Sequence, residues 1–543
     1  MKSTMMDFPL TLTHILDHAG TLFGGAEIVS RLPDKSLHRY TYADFYRRTR
    51  ALAEALQRAG LQPGDRVATL MWNHYVHLET YFGVPAAGGI LHTVNLRLHP
   101  NDLSYILNHA EDRFLVIDDT LLPILERVKD RVKIERVLVA PFTGKPVPPG
   151  TTSYEELLKT ATGTFRSPPI EEDDAAGLCY TSGTTGRPKG VLYSHRSLVL
   201  HTLVGALPGG IGIAESDTIL PVVPMFHVNA WGIPFIATMI GAKQVFPGPH
   251  LDPESLLDLF ERERVTVTAG VPTIWMGILD ALDKNPKRWR LTPGMRMLVG
   301  GSAAPEALIR GFDRHGLRVV HAWGMTETSP LGTVSALKRH LEELPEKERY
   351  EIRAKQGFAA PFVELRAVGE SGEIPWDGKA LGELQIRGPW VAASYYRMPE
   401  AGDRWTEDGW FRTGDVVTID PEGYVKIVDR TKDLIKSGGE WISSVDLENA
   451  LMAHPAVKEA AVIAMANEKW GERPLAVIVP KDGLGVTAEE LRAFLEPNFA
   501  KWWLPDAIVF TKEIPRTATG KFSKLQLREQ YANYRPPPSD LPA

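Results

Sequence analysis

The chain has 543 residues, too many for one hydrophobic core, so two or more domains are predicted. A hydrophobic content of 43%, a charged content of 24% and a net charge of −6 are those of an ordinary globular protein and argue against a nucleic-acid partner. Cys179 is the only cysteine, which excludes an internal disulfide and a cysteine metal cluster and is compatible with a reducing, cytoplasmic compartment.

No targeting or membrane-spanning segment is predicted. The first 20 residues carry charged side chains and lack the apolar core of a signal peptide. The segment 218–242 has no charged residue and is long enough to cross a bilayer, but it contains three prolines together with His227 and Asn229. We therefore expect a buried strand, a loop and a helix there.

Strand-like and helix-like segments alternate along the first three quarters of the chain. This rhythm predicts an α/β fold in layers, with largely parallel strands. The predicted elements, in chain order, are a strand at Arg66–Trp72, a helix at His77–Ala87, strands at Phe114–Asp118 and Val137–Ala140, a helix at Glu254–Arg262, strands at Val265–Ala269 and Met295–Val299, a helix from Pro305 and a strand at Leu317–Ala322.

The pattern changes twice towards the C-terminus. Short strands rich in Gly and Pro from about Gly357 to Tyr424 predict a small β subdomain, which completes a large N-terminal domain over residues 1–430. Residues 431–543 are predicted to form a small, mobile α+β domain, and the Pro-rich end from Arg535 is predicted to be disordered. Its predicted elements are a helix at Ser444–Ala453, strands at Ala460–Ala464 and Leu475–Pro480, and a helix at Ala488–Leu495.

Residues 180–190, Tyr-Thr-Ser-Gly-Thr-Thr-Gly-Arg-Pro-Lys-Gly, form a glycine-, hydroxyl- and cation-rich loop between two apolar runs. Exposed backbone N–H groups, hydroxyl groups and a lysine are the donors that a polyphosphate needs. The spacing is not that of the P-loop, because Gly183 and Gly186 are too close together and Gly190 follows Lys189. The loop predicts phosphate binding of another kind.

Three segments follow predicted strands, where open α/β sheets place their ligands. They are Phe226–Trp231, which contains a His and a Trp, the Gly-rich turn Gly300–Pro305, and Trp323–Thr328, which joins an aromatic ring to a carboxylate. Each alone has an ordinary structural explanation, since a core histidine, a helix-leading turn and a helix cap are common. Together with the loop at 180–190, they predict a nucleotide-and-substrate cleft.

Three more motifs follow along the chain. Phe411–Asp415 ends in a carboxylate, which can only accept hydrogen bonds, and Asp429–Lys436 leads into Ser437–Trp441. Near the end, Pro515–Lys521 is a Pro-Arg-Thr-x-x-Gly-Lys turn that would present Lys521 rigidly.

In this order the motifs resemble those of the adenylate-forming superfamily, which comprises acyl-CoA synthetases, luciferases and peptide-synthetase adenylation domains. The resemblance covers roughly residues 10–530, and Pro221–Trp231 and Lys432–Glu448 look most like bacterial medium- and long-chain fatty acyl-CoA synthetases. It implies that Trp323 lies against adenine, that Asp415 binds the ribose hydroxyls, and that the C-terminal domain turns about Lys432.

The resemblance also implies a set of site residues. Catalytic roles are expected for Lys521, Glu327, Thr181 and His227, and Mg²⁺ ligation for Thr181 and Glu327. Acyl-substrate contacts are expected for His227, Val228, Trp231, Gly300, Gly301 and Pro330. Contacts with ATP and CoA are expected for Thr181, Ser182, Gly183, Thr184, Thr185, Gly186, Lys189, Gly301, Ser302, Ala303, Trp323, Gly324, Met325, Thr326, Asp415, Arg430, Lys432, Lys436, Gly438, Gly439, Glu440 and Trp441.

The function that the resemblance implies is ATP-dependent acyl-CoA ligation. A medium- or long-chain carboxylate and MgATP would give an acyl-adenylate and pyrophosphate, and CoA would then release AMP. The same segments also resemble 3-methylthiopropionate-CoA ligases, and other short acids stay open. A luciferase-like oxygenase, a peptide-synthetase-like adenylation enzyme and a non-catalytic nucleotide-binding protein are the alternatives from other classes. A homodimer is expected from the resemblance, and a cytoplasmic location is expected for an enzyme of this kind.

Overall fold

The computed structural model describes residues 3–181, 187–438, 440–467, 469–517 and 521–535. Over these ranges the chain forms four β-sheets flanked by helices. Among the described residues, no helix is both long enough and apolar enough to span a bilayer. The uncharged segment 218–242 contains the predicted strand, loop and helix, with the strand at Thr218–Pro221 and the helix at Ile233–Ile240.

The first layer is a seven-stranded sheet in which neighbouring strands are parallel except for the last pair. That antiparallel pair is Ala175–Tyr180 and Gly190–Ser194, the two strands that bracket the predicted phosphate loop. The strands lie in the spatial order Thr152–Ser153, Arg136–Ala140, Asp112–Asp118, Arg66–Leu70, Ile90–Thr93, Ala175–Tyr180 and Gly190–Ser194.

The second layer is a nine-stranded sheet with a parallel centre and antiparallel edges. The N-terminal strands Glu27–Arg31 and Leu37–Thr41 belong to this sheet rather than to the one nearer in sequence. The strands lie in the order Phe358–Ala359, Leu331–Val334, Arg318–Gly324, Arg296–Val299, Val267–Gly270, Thr218–Pro221, Lys243–Phe246, Glu27–Arg31 and Leu37–Thr41.

A continuous apolar core joins the two sheets. The helix Tyr75–Ala86 is buried on every side after its first residue, and aromatic contacts of Tyr81 and Phe82 with Phe235 tie it to the helix Ile233–Ile240. A helix with apolar residues all around is expected only inside such a layer. The other helices of this region are Leu12–Leu22, Tyr42–Arg58, Pro100–Ala110, Leu122–Glu126, Tyr154–Lys159, His195–Ala206, Pro253–Glu263, Pro272–Lys284, Glu306–Arg314 and Glu346–Ala354.

The predicted β subdomain contains a five-stranded antiparallel sheet. Its last strand leads directly into the C-terminal part, where a second small sheet is flanked by helices. The five strands are Glu364–Gly369, Gly372–Glu373, Gly382–Arg387, Phe411–Ile419 and Val425–Arg430. The C-terminal elements are strands Ile435–Ser437, Glu440–Ile442, Val457–Asn467, Gly471–Pro480 and Ala507–Phe510 and helices Ser444–Met452, Ala488–Leu495 and Lys524–Gln530.

The predicted α/β class, with a large layered N-terminal part and a smaller C-terminal part, is confirmed. Every predicted strand and helix is present, with ends displaced by a few residues, as for the strand predicted at Val265–Ala269 and found at Val267–Gly270. The boundary at residue 430 and the mobility of the C-terminal part stay predictions. The Pro-rich end predicted to be disordered falls, from residue 536 on, outside the described residues.

Candidate active site

Two adjoining cavities, of about 280 and 290 Å³, lie where the carboxyl ends of the parallel strands meet the C-terminal part. They share Gly301, Trp323, Arg430, Lys432 and Lys521 among their lining residues. The first cavity brings together most of the residues that the sequence nominated. These are Thr181, Lys189, His227, Val228, Trp231, Gly300, Gly301, Trp323, Gly324, Met325, Thr326, Glu327, Pro330, Arg430, Lys432 and Lys521.

The lining of the first cavity is strongly cationic. Among its described lining residues, six side chains are cationic and one, Glu327, is a carboxylate. The six are Arg187, Lys189, Arg404, Arg430, Lys432 and Lys521. Such an excess of positive charge in a cleft attracts and holds a polyanion.

The two ends of the predicted phosphate loop are bonded to each other. The Thr181 N–H donates to the Lys189 carbonyl at 2.9 Å, and the Lys189 N–H donates to the Thr181 hydroxyl at 3.1 Å. Next to this pair of hydrogen bonds, the Tyr180 hydroxyl lies 2.7 Å from His109 Nδ1, and the Arg187 guanidinium lies over the Tyr105 ring. The helix Pro100–Ala110 therefore anchors the chain on both sides of the loop, whose residues Ser182 to Gly186 lie outside the described residues.

Glu327 lies in a buried 3₁₀ turn, Thr326–Thr328, which follows the strand Arg318–Gly324. The Tyr395 hydroxyl donates to Glu327 Oε1 at 2.6 Å, and Lys189 Nζ lies 4.9 Å from the Tyr395 ring centre. Burial, together with the Glu327 charge, raises the pKa of Tyr395, so that this hydroxyl stays a donor. Over the described residues, the second Glu327 oxygen accepts no hydrogen bond, which leaves it available to a ligand.

Asp415 is buried at the base of the site and holds two neighbours. Its carboxylate accepts from Trp323 Nε1 at 3.0 Å and pairs with Arg430 Nε at 2.8 Å. The Asp415 charge, despite burial, raises the pKa of Arg430. Trp323 is 8% exposed and its ring packs against Gly332. The carboxylate predicted to bind ribose hydroxyls thus also fixes the orientation of the ring predicted to lie against adenine.

Lys521 reaches the cavity from the C-terminal part of the chain. Reciprocal bonds with Thr517 hold its backbone, the Thr517 N–H donating to the Lys521 carbonyl at 2.7 Å and the Lys521 N–H to the Thr517 hydroxyl at 3.2 Å. Its stem runs past Gly301, where a Cβ would lie 3.2 Å from Lys521 Cε. Burial, reinforced by the Arg430 charge, lowers the pKa of Lys521 to about 8.

The first cavity also has apolar lining residues. They are Trp231, Ile211, Leu298 and Leu331, named the apolar end of the cavity below, and the Trp231 ring lies against Gly300. His227 lines the same cavity, and burial together with the Lys521 charge lowers its pKa to about 3, so the imidazole is neutral at physiological pH. A neutral His227 can donate or accept a hydrogen bond in the cavity, but it supplies no positive charge there.

Residues 228–232 make a left-handed turn, which sequence reasoning did not predict. Val228, Asn229, Ala230 and Trp231 have φ angles of 45°, 52°, 49° and 59°, followed by Gly232 at 73°. Non-glycine residues rarely adopt this region, and strain of this kind clusters at functional sites. Buried Asn229 holds the turn, because its side-chain oxygen lies 3.4 Å from Cys179 Sγ and 3.5 Å from the Thr93 hydroxyl. The turn carries Trp231 to the wall of the cavity.

The remaining nominated residues lie elsewhere. Ser302, Ala303 and Asp415 line the second cavity, which faces the C-terminal part. Lys436, Gly438, Glu440 and Trp441 line neither cavity. They lie on and beside the hairpin formed by Ile435–Ser437 and Glu440–Ile442, where Lys436 Nζ is 5.0 Å from the ring centre of the partly exposed Trp441. Gly439 is outside the described residues.

Several lining residues were not nominated from the sequence. Tyr395 and Arg404 come from a connecting segment, Thr413 and Gly414 from a small-sheet strand, and Ile211 from a loop. Thr413 and Gly414 stand inside a motif that was noted for Asp415 alone, so the signal was present there. Tyr395, Arg404 and Ile211 stand in no motif, and only the fold brings them to the cavity.

Comparison with known proteins gives full-length similarity. The profile of the AMP-binding enzyme family matches residues 17–396, and that of the AMP-binding enzyme C-terminal domain matches residues 446–521. A long-chain-fatty-acid–CoA ligase of Thermus thermophilus is 53% identical over 98% of this chain and 97% of its own length. A medium-chain-fatty-acid–CoA ligase of Ectopseudomonas oleovorans is 44% identical (98% of each chain), and a 3-methylmercaptopropionyl-CoA ligase of Ruegeria pomeroyi is 46% identical (98% and 99%).

Solved structures share the fold. An anthranilate CoA ligase with bound anthranoyl-AMP superposes with a TM-score of 0.87 at 24% identity, covering 98% of this chain and 99% of the other. An ATP-bound MatB from Rhodopseudomonas palustris gives a TM-score of 0.82 at 26% identity, covering 97% and 99%. The arrangement of two large sheets, a small sheet and a C-terminal part is therefore one that adenylate-forming enzymes adopt.

Proposed function

Since this chain belongs to the AMP-binding enzyme family, we propose that it is an ATP-dependent fatty acyl-CoA ligase for medium- or long-chain acids. One observation carries the proposal. A single cavity is lined by six cationic side chains and one carboxylate, by His227, and by the apolar side chains of Trp231, Ile211 and Leu298. The cations suit the polyphosphate of ATP and the apolar side chains suit an aliphatic chain, so the carboxylate of the acid would meet the α-phosphate within this cavity.

In the proposed first step, the carboxylate attacks the α-phosphate and pyrophosphate leaves. The negative charge that develops on phosphorus-bound oxygens would be stabilised by Lys521 and Arg430, already positioned at the cavity wall. Lys189 and the loop that begins at Thr181 would hold the β- and γ-phosphates. Asp415, with Trp323, would take the nucleoside. Bond making and charge stabilisation would thus depend on positioning rather than on a protein nucleophile.

A divalent cation fits the same cavity. Glu327 offers a carboxylate oxygen without a hydrogen-bond partner among the described residues, and Thr181 lies on the same wall. Over those residues, no group of three or more His, Cys, Asp or Glu side chains is arranged to hold a metal ion. One or two protein ligands are enough for Mg²⁺, which keeps waters and binds phosphate oxygens, and when bound it would neutralise phosphate charge.

In the proposed second step, CoA attacks the acyl-adenylate and AMP leaves. We propose that the C-terminal part turns about Lys432, withdrawing Lys521 and bringing the hairpin with Lys436, Gly438 and Trp441 to the cavity. The hairpin's position away from both cavities supports two arrangements of the chain, because in this one it touches neither. Trp441 and Lys436 offer an aromatic face and a cation to a nucleotide.

A second candidate substrate comes from the relatives. A 3-methylmercaptopropionyl-CoA ligase is 46% identical over nearly the whole chain, about as similar as the medium-chain ligase at 44%. Such a short acid would fill only the part of the apolar end nearest His227. We propose the longer acids first because the relative at 53% identity is named a long-chain-fatty-acid–CoA ligase.

Compartment and assembly are proposed on narrower ground. The single, buried Cys179 suits a cytoplasmic enzyme of fatty-acid metabolism, and a homodimer rests on the resemblance to this branch of the superfamily. Light scattering on a size-exclusion column tests the dimer, which predicts twice the chain mass of 60.2 kDa.

The test of function measures AMP formation from ATP, with and without CoA, for carboxylates from acetate to palmitate and for 3-methylthiopropionate. We expect turnover that requires CoA and peaks at medium or long chains. A peak at 3-methylthiopropionate would keep the reaction and replace the substrate. Oxygen-dependent loss of the adenylate without CoA would favour the luciferase-like alternative, and no AMP with any acid would overturn the proposal.

Lys521→Ala tests the proposed role of Lys521 in stabilising the negative charge that develops in the first step. Removing a preorganised charge of this kind lowers the rate by about 10²- to 10³-fold. The effect on stability should be small, because burial disfavours the charged form of Lys521 and this side chain forms no salt bridge within the described residues. Pyrophosphate release in a single turnover, measured beside the melting temperature, separates the two effects. Wild-type adenylation by the variant would contradict the assignment.

A further inference from the structure

A surface groove lies behind the apolar end of the first cavity, and one side chain lines both spaces. The groove, of about 750 Å³, runs between the loop 207–213 and the helix Glu346–Ala354. Its lining includes Ile211, which also lines the apolar end of the first cavity. Ile211 is 9% exposed, so this one largely buried side chain separates the two spaces where both are lined by it.

The sheet surface under Ile211 is continuous from the cavity to the groove. Ala322 lines the cavity and Val320 lines the groove, and these residues lie two positions apart on one strand, hence on the same face and roughly 7 Å from each other. Leu298, which lines the cavity, is the direct cross-strand partner of Val320. An aliphatic chain that passed Ile211 would therefore meet Val320 on the same face, beside the charged side chains that also line the groove, among them Arg296 and Arg318.

The loop that carries Ile211 forms a tight turn that hydrogen bonds hold in place. The Ile211 N–H donates to the Gly205 carbonyl at 2.9 Å, and Gly212 has a φ angle of 70°. A Cβ on Gly210 would overlap the Val204 carbonyl oxygen. Arg296, paired with Asp217 at 2.6 Å, also bonds the Gly212 carbonyl. The backbone is thus fixed from both sides, and the Ile211 side chain is the part that closes the passage.

We propose that Ile211 closes the far end of the acyl cavity and determines the longest acyl chain that is accepted, an inference that rests on the proposed acyl-CoA ligase function. A chain whose methyl end reaches Ile211 fills the cavity. A longer chain must displace this side chain, and a mismatch of one methylene in an apolar pocket changes kcat/KM by about tenfold or more. Beyond Ile211 the groove offers space, so shortening the side chain joins the two spaces.

The test is the chain-length profile of kcat/KM for saturated acids from C4 to C18, in wild type, Ile211→Ala and Ile211→Phe. Ile211→Ala removes three carbon atoms, so the preferred length should rise by about three carbons, with at least a tenfold gain in relative kcat/KM for acids just beyond the wild-type limit. Ile211→Phe should lower the preferred length. Both variants should retain the wild-type KM for ATP, because Ile211 lies at the apolar end.

Ile213→Ala is the matched control. Ile213 is buried at 4% exposure on the same loop but lines neither space, so its truncation loosens the loop equally without opening the passage. Its chain-length profile should equal that of wild type. An unchanged profile for Ile211→Ala, or an equal shift for Ile213→Ala, would overturn the inference. If the wild-type enzyme turned over none of the fatty acids, the proposed function itself would be wrong. That outcome differs from an unchanged chain-length profile, so the two failures are distinguishable.

Discussion

At the scale of single residues, the role proposed for Lys521 predicts that its protonation limits the pH range of the proposed first step. Its pKa of about 8 lies below the usual value of 10.5 because the ammonium group is buried and faces Arg430. Below pH 8 the side chain is charged and can stabilise the developing negative charge. As the pH rises through 8 the charge is lost, so kcat/KM for ATP, which reports the free enzyme, should fall on the alkaline side with an apparent pKa near 8.

Lys521→Arg provides the control for that prediction. A guanidinium stays protonated throughout this range, so the alkaline fall should disappear, although the different geometry lowers the rate. The comparison is a pH profile of pyrophosphate release from pH 6 to 10 for both proteins. If the arginine variant keeps the same alkaline limb, another group is titrating and Lys521 is not the source.

Much of the site at this scale could be predicted, because its chemistry stands in short motifs. Lys521, Glu327, Thr181 and Arg430 were named from the sequence and line one cavity. Tyr395, which donates to Glu327, could not be named, because a tyrosine in a connecting segment has no local signature and only the fold brings it there. The roles of all these residues stay predictions.

At the scale of elements, the left-handed turn at Val228–Trp231 stores strain that can be measured. Each non-glycine residue in this region costs about 1–2 kcal/mol, which glycine avoids. Ala230→Gly should therefore change the unfolding free energy by less than about 0.5 kcal/mol, since relief of strain offsets both the lost methyl burial and the greater freedom of the unfolded chain. Denaturant unfolding of wild type and variant provides the measurement.

Ala237→Gly is the matched control, because Ala237 is equally buried but lies in the ordinary helix Ile233–Ile240. There the change removes a good helix former and a buried methyl without relieving strain, so a loss of about 2 kcal/mol is expected. Equal losses in both variants would mean that the turn carries no strain.

The sequence predicts elements well where hydrophobic period and length agree, as for Ala488–Leu495, and poorly where tertiary contacts decide. Nothing in Phe226–Trp231 signals a left-handed turn, because the turn depends on Asn229 meeting Thr93 and Cys179, which lie far away along the chain. Likewise, no local pattern assigns Glu27–Arg31 to the second sheet, since its parallel partner Lys243–Phe246 lies about 215 residues further on.

At the scale of the whole molecule, polar contacts within the described residues join the C-terminal part to the rest on both sides of the turn at Thr431–Asp433. Lys426 pairs with Asp446 at 2.9 Å, and Asp429 accepts from the Ser444 N–H at 2.9 Å. The length of the chain and the change of pattern near residue 430 predict two parts but not their mutual orientation, because orientation depends on such contacts. Any rotation of the C-terminal part must break these contacts, which are polar like those of interfaces between domains that move.

The last prediction concerns the residue about which rotation is proposed. Within the described residues the Lys432 amide donates no hydrogen bond, so Lys432→Pro removes none here, but proline fixes φ near −65° and restricts the preceding residue. Adenylation, measured as pyrophosphate release, should stay within about threefold of wild type, whereas thioester formation from preformed acyl-adenylate and CoA should fall by 10²-fold or more if rotation is required. Lys432→Ala is the control, because it removes the same charge from the cavity wall and leaves the backbone free, so it should retain the second step. Equal loss of both steps in Lys432→Pro, or equal loss of the second step in both variants, would exclude Lys432 as the pivot and place the change of arrangement elsewhere in the chain.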